Sequence, residues 1–126
     1  MFLPEERDEQ IYDKNGLDIT KLDPGTKLEV QTRNSLYKIT VLNPKKLKIE
    51  VEGGVHLPEA EEAFLTGSTW GGSMIKTGWI GHMMHMEIRR YQRIGPLVTT
   101  GVRGLKIIGS NFEFDFEWEN EDGEIS

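Results

Sequence analysis

Short runs of alternating apolar and polar residues, separated by turns that contain glycine or proline, are the feature that most restricts the fold of this chain. Leu28 and Val30 alternate with charged and amide side chains, and residues 46–52 repeat the pattern. Residues 36–42, which lie between these runs, are rich in β-branched and aromatic side chains. Because successive side chains of a strand point to opposite faces, period-two runs predict half-buried strands. The interval 27–52 is therefore predicted to form a three-strand meander.

Further runs with period-two alternation or high β-propensity follow at residues 83–89, 97–100, 102–108 and 112–118. Residues 60–65 fit a short strand or one helical turn equally well. A helix over residues 83–93 would have only a thin apolar stripe, which does not favour it. Seven to eight short strands with glycine-rich turns predict an all-β fold, namely a small barrel or sandwich of mostly antiparallel strands.

The distribution of polar residues divides the chain into an acidic arm, one domain and an acidic tail. Residues 1–20 carry only scattered apolar side chains and are predicted to form a loosely ordered N-terminal arm. Residues 21–119 are predicted to form a single β-barrel-like domain, and a domain of this length can bury an independent core. Residues 120–126 are predicted to be a disordered acidic tail.

Several functional classes are disfavoured by what the sequence lacks. The absence of cysteine excludes disulfides and thiolate metal sites. No apolar run reaches the roughly 18 residues of a membrane span, and the first residues do not form a signal peptide. We therefore expect a cytoplasmic protein with no membrane contact. No serine elbow and no distinct acid–base pair is present, so we expect a non-enzymatic protein that needs no cofactor.

The densest glycine region, residues 67–81, also holds two tryptophans. It resembles a phosphate-binding loop only superficially, because Ser73 occupies the position where such a loop requires lysine. One hypothesis is structural: the glycines form bends, or they allow a tryptophan to lie on the backbone. The other is a ligand pocket, since aromatic and small polar side chains together are typical of binding surfaces. Its predicted residues are Ser68, Thr69, Trp70, Ser73, Lys76 and Trp79.

The three histidines allow a weaker hypothesis of a metal binder or a metal-dependent hydrolase. His82 and His85 are three positions apart, which places them on opposite faces of a strand, and His56 lies elsewhere in the sequence. A catalytic metal normally needs three protein ligands, and the strand geometry does not bring these together. No metal ligand is therefore assigned.

The charge distribution suggests nucleic acid as an alternative partner. The chain has a net charge of −6, but its middle part is mildly basic, and Tyr37 and Tyr91 could stack on bases. Small barrels bind single strands by combining a basic groove with aromatic platforms. Such binding requires several converging cations, which an acidic chain does not favour.

The C-terminal run pairs an aromatic face with an acidic one. It is predicted to be a core strand, or alternatively a subunit interface, because aromatic residues are enriched at interface cores. The acidic face would suit a neighbour's Lys46 and Lys48. The predicted interface residues are Phe112, Phe114, Phe116 and Trp118. The leading functional hypothesis is an interaction or assembly module, either a homo-oligomer or part of a larger protein assembly, with a possible ligand site at the tryptophan–glycine segment.

Overall fold

Strands make up nearly all of the regular structure. The computed structural model describes residues 12–13, 15–71, 74–91, 93–108 and 114–117, with the backbone alone for 12–13 and 114–117. Two 3-10 turns, Ile19–Lys21 and Pro44–Lys46, accompany the strands β1 (Tyr12–Asp13), β2 (Gly16–Asp18), β3 (Lys27–Thr32), β4 (Leu36–Asn43), β5 (Lys48–Gly53), β6 (Leu57–Thr69), β7 (Lys76–Thr77), β8 (Trp79–Gly81), β9 (His85–Arg90), β10 (Leu97–Ile108) and β11 (Phe114–Glu117). The predicted all-β class is confirmed. Within the described ranges, no helix is long and apolar enough to cross a membrane.

Six of these strands close into a barrel. Antiparallel pairing runs from β3 through β4, β5, β6, β9 and β10, and β10 pairs again with β3. The 13-residue β6 and the 12-residue β10 each change partners along their length. Register shifts at Thr66 and near Arg103 mark these changes. An extra residue bends and twists a strand, so these irregularities let two long strands turn the corners of the barrel.

The long strands differ from the predicted pattern. The runs 97–100 and 102–108 form the single strand β10, and the undecided segment 60–65 lies within β6. Gly101 continues β10 rather than ending it. A Cβ at this glycine would stand 3.0 Å from the carbonyl oxygen of Met83, so the glycine permits close approach of another backbone segment.

The predicted meander is confirmed as β3, β4 and β5, with one difference at the start of β5. Pro44–Lys46 forms a 3-10 turn, and the side chain of Asn43 accepts a hydrogen bond from the backbone N–H of Lys46 (3.3 Å). Leu47 then adopts a left-handed conformation, with φ of 63°. The turn therefore takes up the first two residues of the run predicted at 46–52, and β5 begins at Lys48.

Alternating side chains of the ring strands fill the barrel interior. Register partners in this core include Leu28 with Ile39 and Leu65 with Ile88, and all four are at most 1% exposed. Full burial of a side chain of this size contributes about 1.5–3 kcal/mol of transfer free energy. The period-two runs thus correctly indicated part of the core, namely Leu28, Val30, Ile49, Val51, Met86 and Ile88.

The segment immediately before the barrel is also packed against it. Leu17 and Ile19 are completely buried and belong to the core cluster, although both fall within the predicted arm of residues 1–20. β2 pairs with β8, and the backbone N–H of Ile19 donates to the carbonyl oxygen of Gly78 (2.8 Å). These contacts place the N-terminal segment beside the tryptophan–glycine region.

At the other end of the chain, β11 pairs with β10 of the same chain. Its register matches Phe114 with Ile107 and Phe116 with Leu105. Phe112, Trp118 and the tail 120–126 lie outside the described residues. The observed pairing is intramolecular, and a subunit interface formed by this strand remains a prediction.

Removing β11 provides a test of its role. In a chain that ends at Ile108, the backbone groups of residues 104–107 lose their partner on one side. An unpaired edge is a template for another strand, so we expect a mass that rises with concentration in light scattering. The full-length chain is the control. A truncated chain that stays monomeric contradicts this expectation. If the full-length chain is oligomeric and the truncated chain has fewer subunits, the result supports assembly through the C-terminal strand.

Candidate functional site

The tryptophan–glycine segment forms a narrow hairpin at the end of β6. Gly67 pairs with Thr77, and Ser68 pairs with Lys76. Gly67 has a φ of 151°, and a Cβ on it would overlap the carbonyl oxygen of Lys76. Only glycine allows the two strands to approach this closely. The hairpin therefore fixes Lys76 and the following residues against β6.

The indole of Trp79 lies against two glycines. Gly16 of β2 and Gly81 of β8 are register partners, and a Cβ on either would collide with the Trp79 ring. The ring is 9% exposed. The prediction that a glycine allows a tryptophan to lie on the backbone is thus confirmed at Gly81, and Gly16 provides a second contact that the sequence pattern did not indicate.

Two polar groups hold Trp79 and its surroundings. The Lys76 ammonium lies 3.6 Å from the centroid of the Trp79 ring, an arrangement worth about 0.5–1 kcal/mol at an exposed site. The hydroxyl of the buried Ser68 donates to the carbonyl oxygen of Trp79. The tryptophan is therefore fixed at its ring and at its backbone.

A groove of about 850 Å³ opens beside this tryptophan. Four of the six predicted ligand-binding residues line it, namely Ser68, Trp70, Lys76 and Trp79. Thr69 is buried, and its hydroxyl accepts a hydrogen bond from the Gly71 N–H (3.0 Å), so it supports the turn. Ser73 lies outside the described residues. The volume is within the range of about 300–1,000 Å³ that is usual for ligand pockets.

Methionines form the part of the groove that the sequence prediction missed. Met74, Met83 and Met84 line it, together with Asn15, Ile75 and His82. Three of the five methionines of the chain thus meet at one site. The clustering of methionines at 83–86 was a usable signal, but the alternating pattern led us to assign the whole run to a strand. In the structure, β9 begins only at His85.

Residues 81–84 form a tight turn at the edge of the groove. The N–H of Met84 donates to the carbonyl oxygen of Gly81 (3.1 Å), and Met83 has a φ of 66°. Glycine is favoured at this turn position, and a left-handed conformation costs other residues about 1–2 kcal/mol. A hydrogen bond from the N–H of Met83 to the carbonyl oxygen of Val102 (2.8 Å) holds the turn against the barrel.

The structure does not bring the histidines together as metal ligands. His82 lines the groove, His56 is exposed, and the Nδ1–H of His85 donates to the carbonyl oxygen of Thr99 (2.7 Å). Among the described residues, no group of three histidine or carboxylate side chains could hold a metal ion. The metal hypothesis therefore gains no geometric support.

Several cations outside the groove lie beside carboxylates. Across the meander, Lys106 and Lys38 are both register partners of Glu29. Elsewhere, the Lys48 ammonium lies 3.3 Å from Glu62. The hydrogen bond to Glu62 and the charge of this carboxylate raise the pKa of Lys48. Binding of a polyanion needs converging cations, and this mixed pattern does not favour it. Nucleic-acid binding remains an untested alternative.

Comparisons with known proteins give no functional information, since no protein-family model, no curated protein and no solved structure matches this chain.

Proposed function

We propose that this protein is a binding module that accepts a small, largely apolar ligand in the groove beside Trp79. The observation that carries the proposal is the convergence of Trp70, Trp79 and three methionines around one cavity of about 850 Å³. Ligand sites are typically concave, mostly apolar and supplied with a few polar groups. Ser68 and Lys76 are such groups here.

Exposed apolar side chains at the rim support the proposal. The side chains of Trp70 and Met74 are 71% and 83% exposed. Leaving large apolar surface in water is unfavourable by roughly 25 cal/mol per Å², and a ligand that covers it recovers this free energy. Exposed apolar residues scattered singly need no explanation, whereas a group of them around one concave surface marks an interaction site.

The two walls of the groove differ in rigidity. Trp79 is held by the backbone of two glycines, by a hydrogen bond from Ser68 and by Lys76. Methionine side chains are flexible and polarisable, and they adapt to irregular partners. A fixed aromatic wall lowers the entropic cost of binding, and an adaptable thioether wall allows ligands of different outline to fit.

Binding of the neutral fluorescent probe N-phenylnaphthylamine tests the proposal. We expect the probe to bind the purified full-length chain, and Trp70→Ala to weaken binding about fivefold, which corresponds to about 1 kcal/mol of lost aromatic contact. Because Trp70 is mostly exposed, Trp70→Ala should change the free energy of unfolding, measured by thermal unfolding, by no more than about 0.5 kcal/mol.

The matched control is Tyr91→Ala, which removes another exposed aromatic side chain that does not line the groove. It should leave probe affinity unchanged. If Trp70→Ala binds the probe as tightly as the original chain, or if both variants weaken it equally, the groove is not the binding site.

A further inference from the structure

We infer that the natural ligand of this groove is a small aromatic acid, that is, a flat ring system carrying a carboxylate, sulfonate or phosphate group. This inference rests on the proposed binding function and adds the charge and shape of the ligand. It follows from the position of Lys76 relative to Trp79 and from the acids and bases that line the groove.

The charge of the groove is opposite to that of the whole protein. The chain has a net charge of −6, yet the described lining residues include one lysine and no aspartate or glutamate. Among the described residues, no carboxylate forms an ion pair with Lys76. The many carboxylates of this protein repel anions in general, so a groove whose described lining has a lysine and no carboxylate is a local site for an anionic group.

The position of Lys76 defines where that group would lie. Its ammonium is held 3.6 Å from the centre of the Trp79 ring, at the boundary between the aromatic wall and solvent. Holding a long side chain in one place beforehand reduces the entropy that an ion pair must lose on forming. A ligand whose acid group meets this ammonium would therefore place its apolar part in the groove beside Trp79.

The remaining lining favours an aromatic ring rather than a flexible aliphatic chain. Met74, Met83 and Met84 line the groove, and thioether sulfurs make favourable contacts with aromatic rings. Trp70 adds an exposed indole on which a second flat surface can stack. A planar conjugated ligand can use both kinds of contact at once.

Two probes with the same ring system separate the charge from the apolar contacts. Anilinonaphthalenesulfonate is anionic, and N-phenylnaphthylamine lacks the sulfonate. At low salt we expect the anionic probe to bind about threefold to fivefold more tightly, the gain available from an exposed ion pair of up to about 1 kcal/mol. The preference should decrease as salt is added, because screening weakens an exposed ion pair.

The variant Lys76→Gln should abolish the preference for the anionic probe, because its affinity for that probe should fall by more than its affinity for the neutral probe, while Lys76→Arg should retain the preference. Lys45→Gln, which makes the same change in net charge away from the groove, is the matched control. If the original chain binds both probes with equal affinity, or if Lys76→Gln weakens the binding of both equally, the inference about the acid group is wrong. The proposed binding function is not affected by that outcome. Failure of both probes to bind the folded protein overturns the proposed function as well.

Discussion

Replacing Gly67 with alanine is expected to destabilise the protein by about 2–6 kcal/mol and to abolish probe binding in the groove. Two costs combine at this position. The backbone has a φ of 151°, which an L-residue adopts only with strain of about 1–3 kcal/mol. The new methyl group would also overlap the carbonyl oxygen of Lys76, and forced repacking of this kind typically costs about 1–3 kcal/mol. The overlapping atom belongs to the backbone, so only a shift of β7 relieves it.

Gly95→Ala separates the two costs. Gly95 also has a positive φ, of 81°, but no atom lies within 4 Å of the position that a Cβ would take. This variant should lose only the conformational term, about 1–2 kcal/mol, and should bind the probe normally. Urea unfolding followed by far-ultraviolet circular dichroism measures both variants. A Gly67→Ala variant no less stable than Gly95→Ala would show that the close approach of β6 and β7 does not hold in solution.

Leu17→Ala is expected to destabilise the protein by about 2–5 kcal/mol, the usual cost of truncating a buried leucine. Leu17 is fully buried and joins the core cluster, although the sequence around it is polar. It lies in β2, which pairs with β8 next to Trp79. Loss of this contact should therefore also loosen the support of the groove, and probe affinity should fall with stability.

Leu36→Ala is the matched control, since Leu36 is 41% exposed at the start of β4. Its removal should cost less than about 1 kcal/mol and leave probe binding intact. If the two leucine variants are equally stable in thermal and urea unfolding, residues 15–21 do not pack on the barrel. That result would agree with the loosely ordered arm predicted from the sequence.

The parts of the fold that the sequence predicted well are those in which one strand face is buried along its whole length. The meander strands are of this kind, because Ile39 and Val41 alternate with exposed or half-buried residues. β2 could not be predicted in this way, since three residues are too few to establish a period. The sequence did not show that residues 97–108 form one strand, because a glycine inside a strand, such as Gly101, cannot be distinguished in sequence from a glycine at a turn.

The sequence predicted those residues of the candidate site that are close together in the chain, but it did not predict those that strand pairing brings to the site. Local clustering in sequence drew attention to Trp70, Lys76 and Trp79, which all lie within the segment 67–81. Met83 and Asn15 reach the same groove through pairing with distant segments, and this proximity depends on the register of strands that the sequence does not specify. Thr69 was assigned to the pocket from the composition of its segment, but it is buried and its hydroxyl accepts a hydrogen bond from the Gly71 N–H.

The closure of the ring by β10 has a consequence for biosynthesis. β3, near the start of the chain, and β9 both depend on β10 for their second neighbour. Translation proceeds from the N-terminus, so the sheet of a nascent chain stays open, with β3 and β9 each unpaired on one side, until β10 has been made. Long-range pairing of this type forms slowly, and apolar surface and unpaired strand edges stay exposed until it has formed. A nascent chain that has not yet reached Leu97 therefore cannot close the barrel, because β3 and β9 still lack the strand that pairs with both.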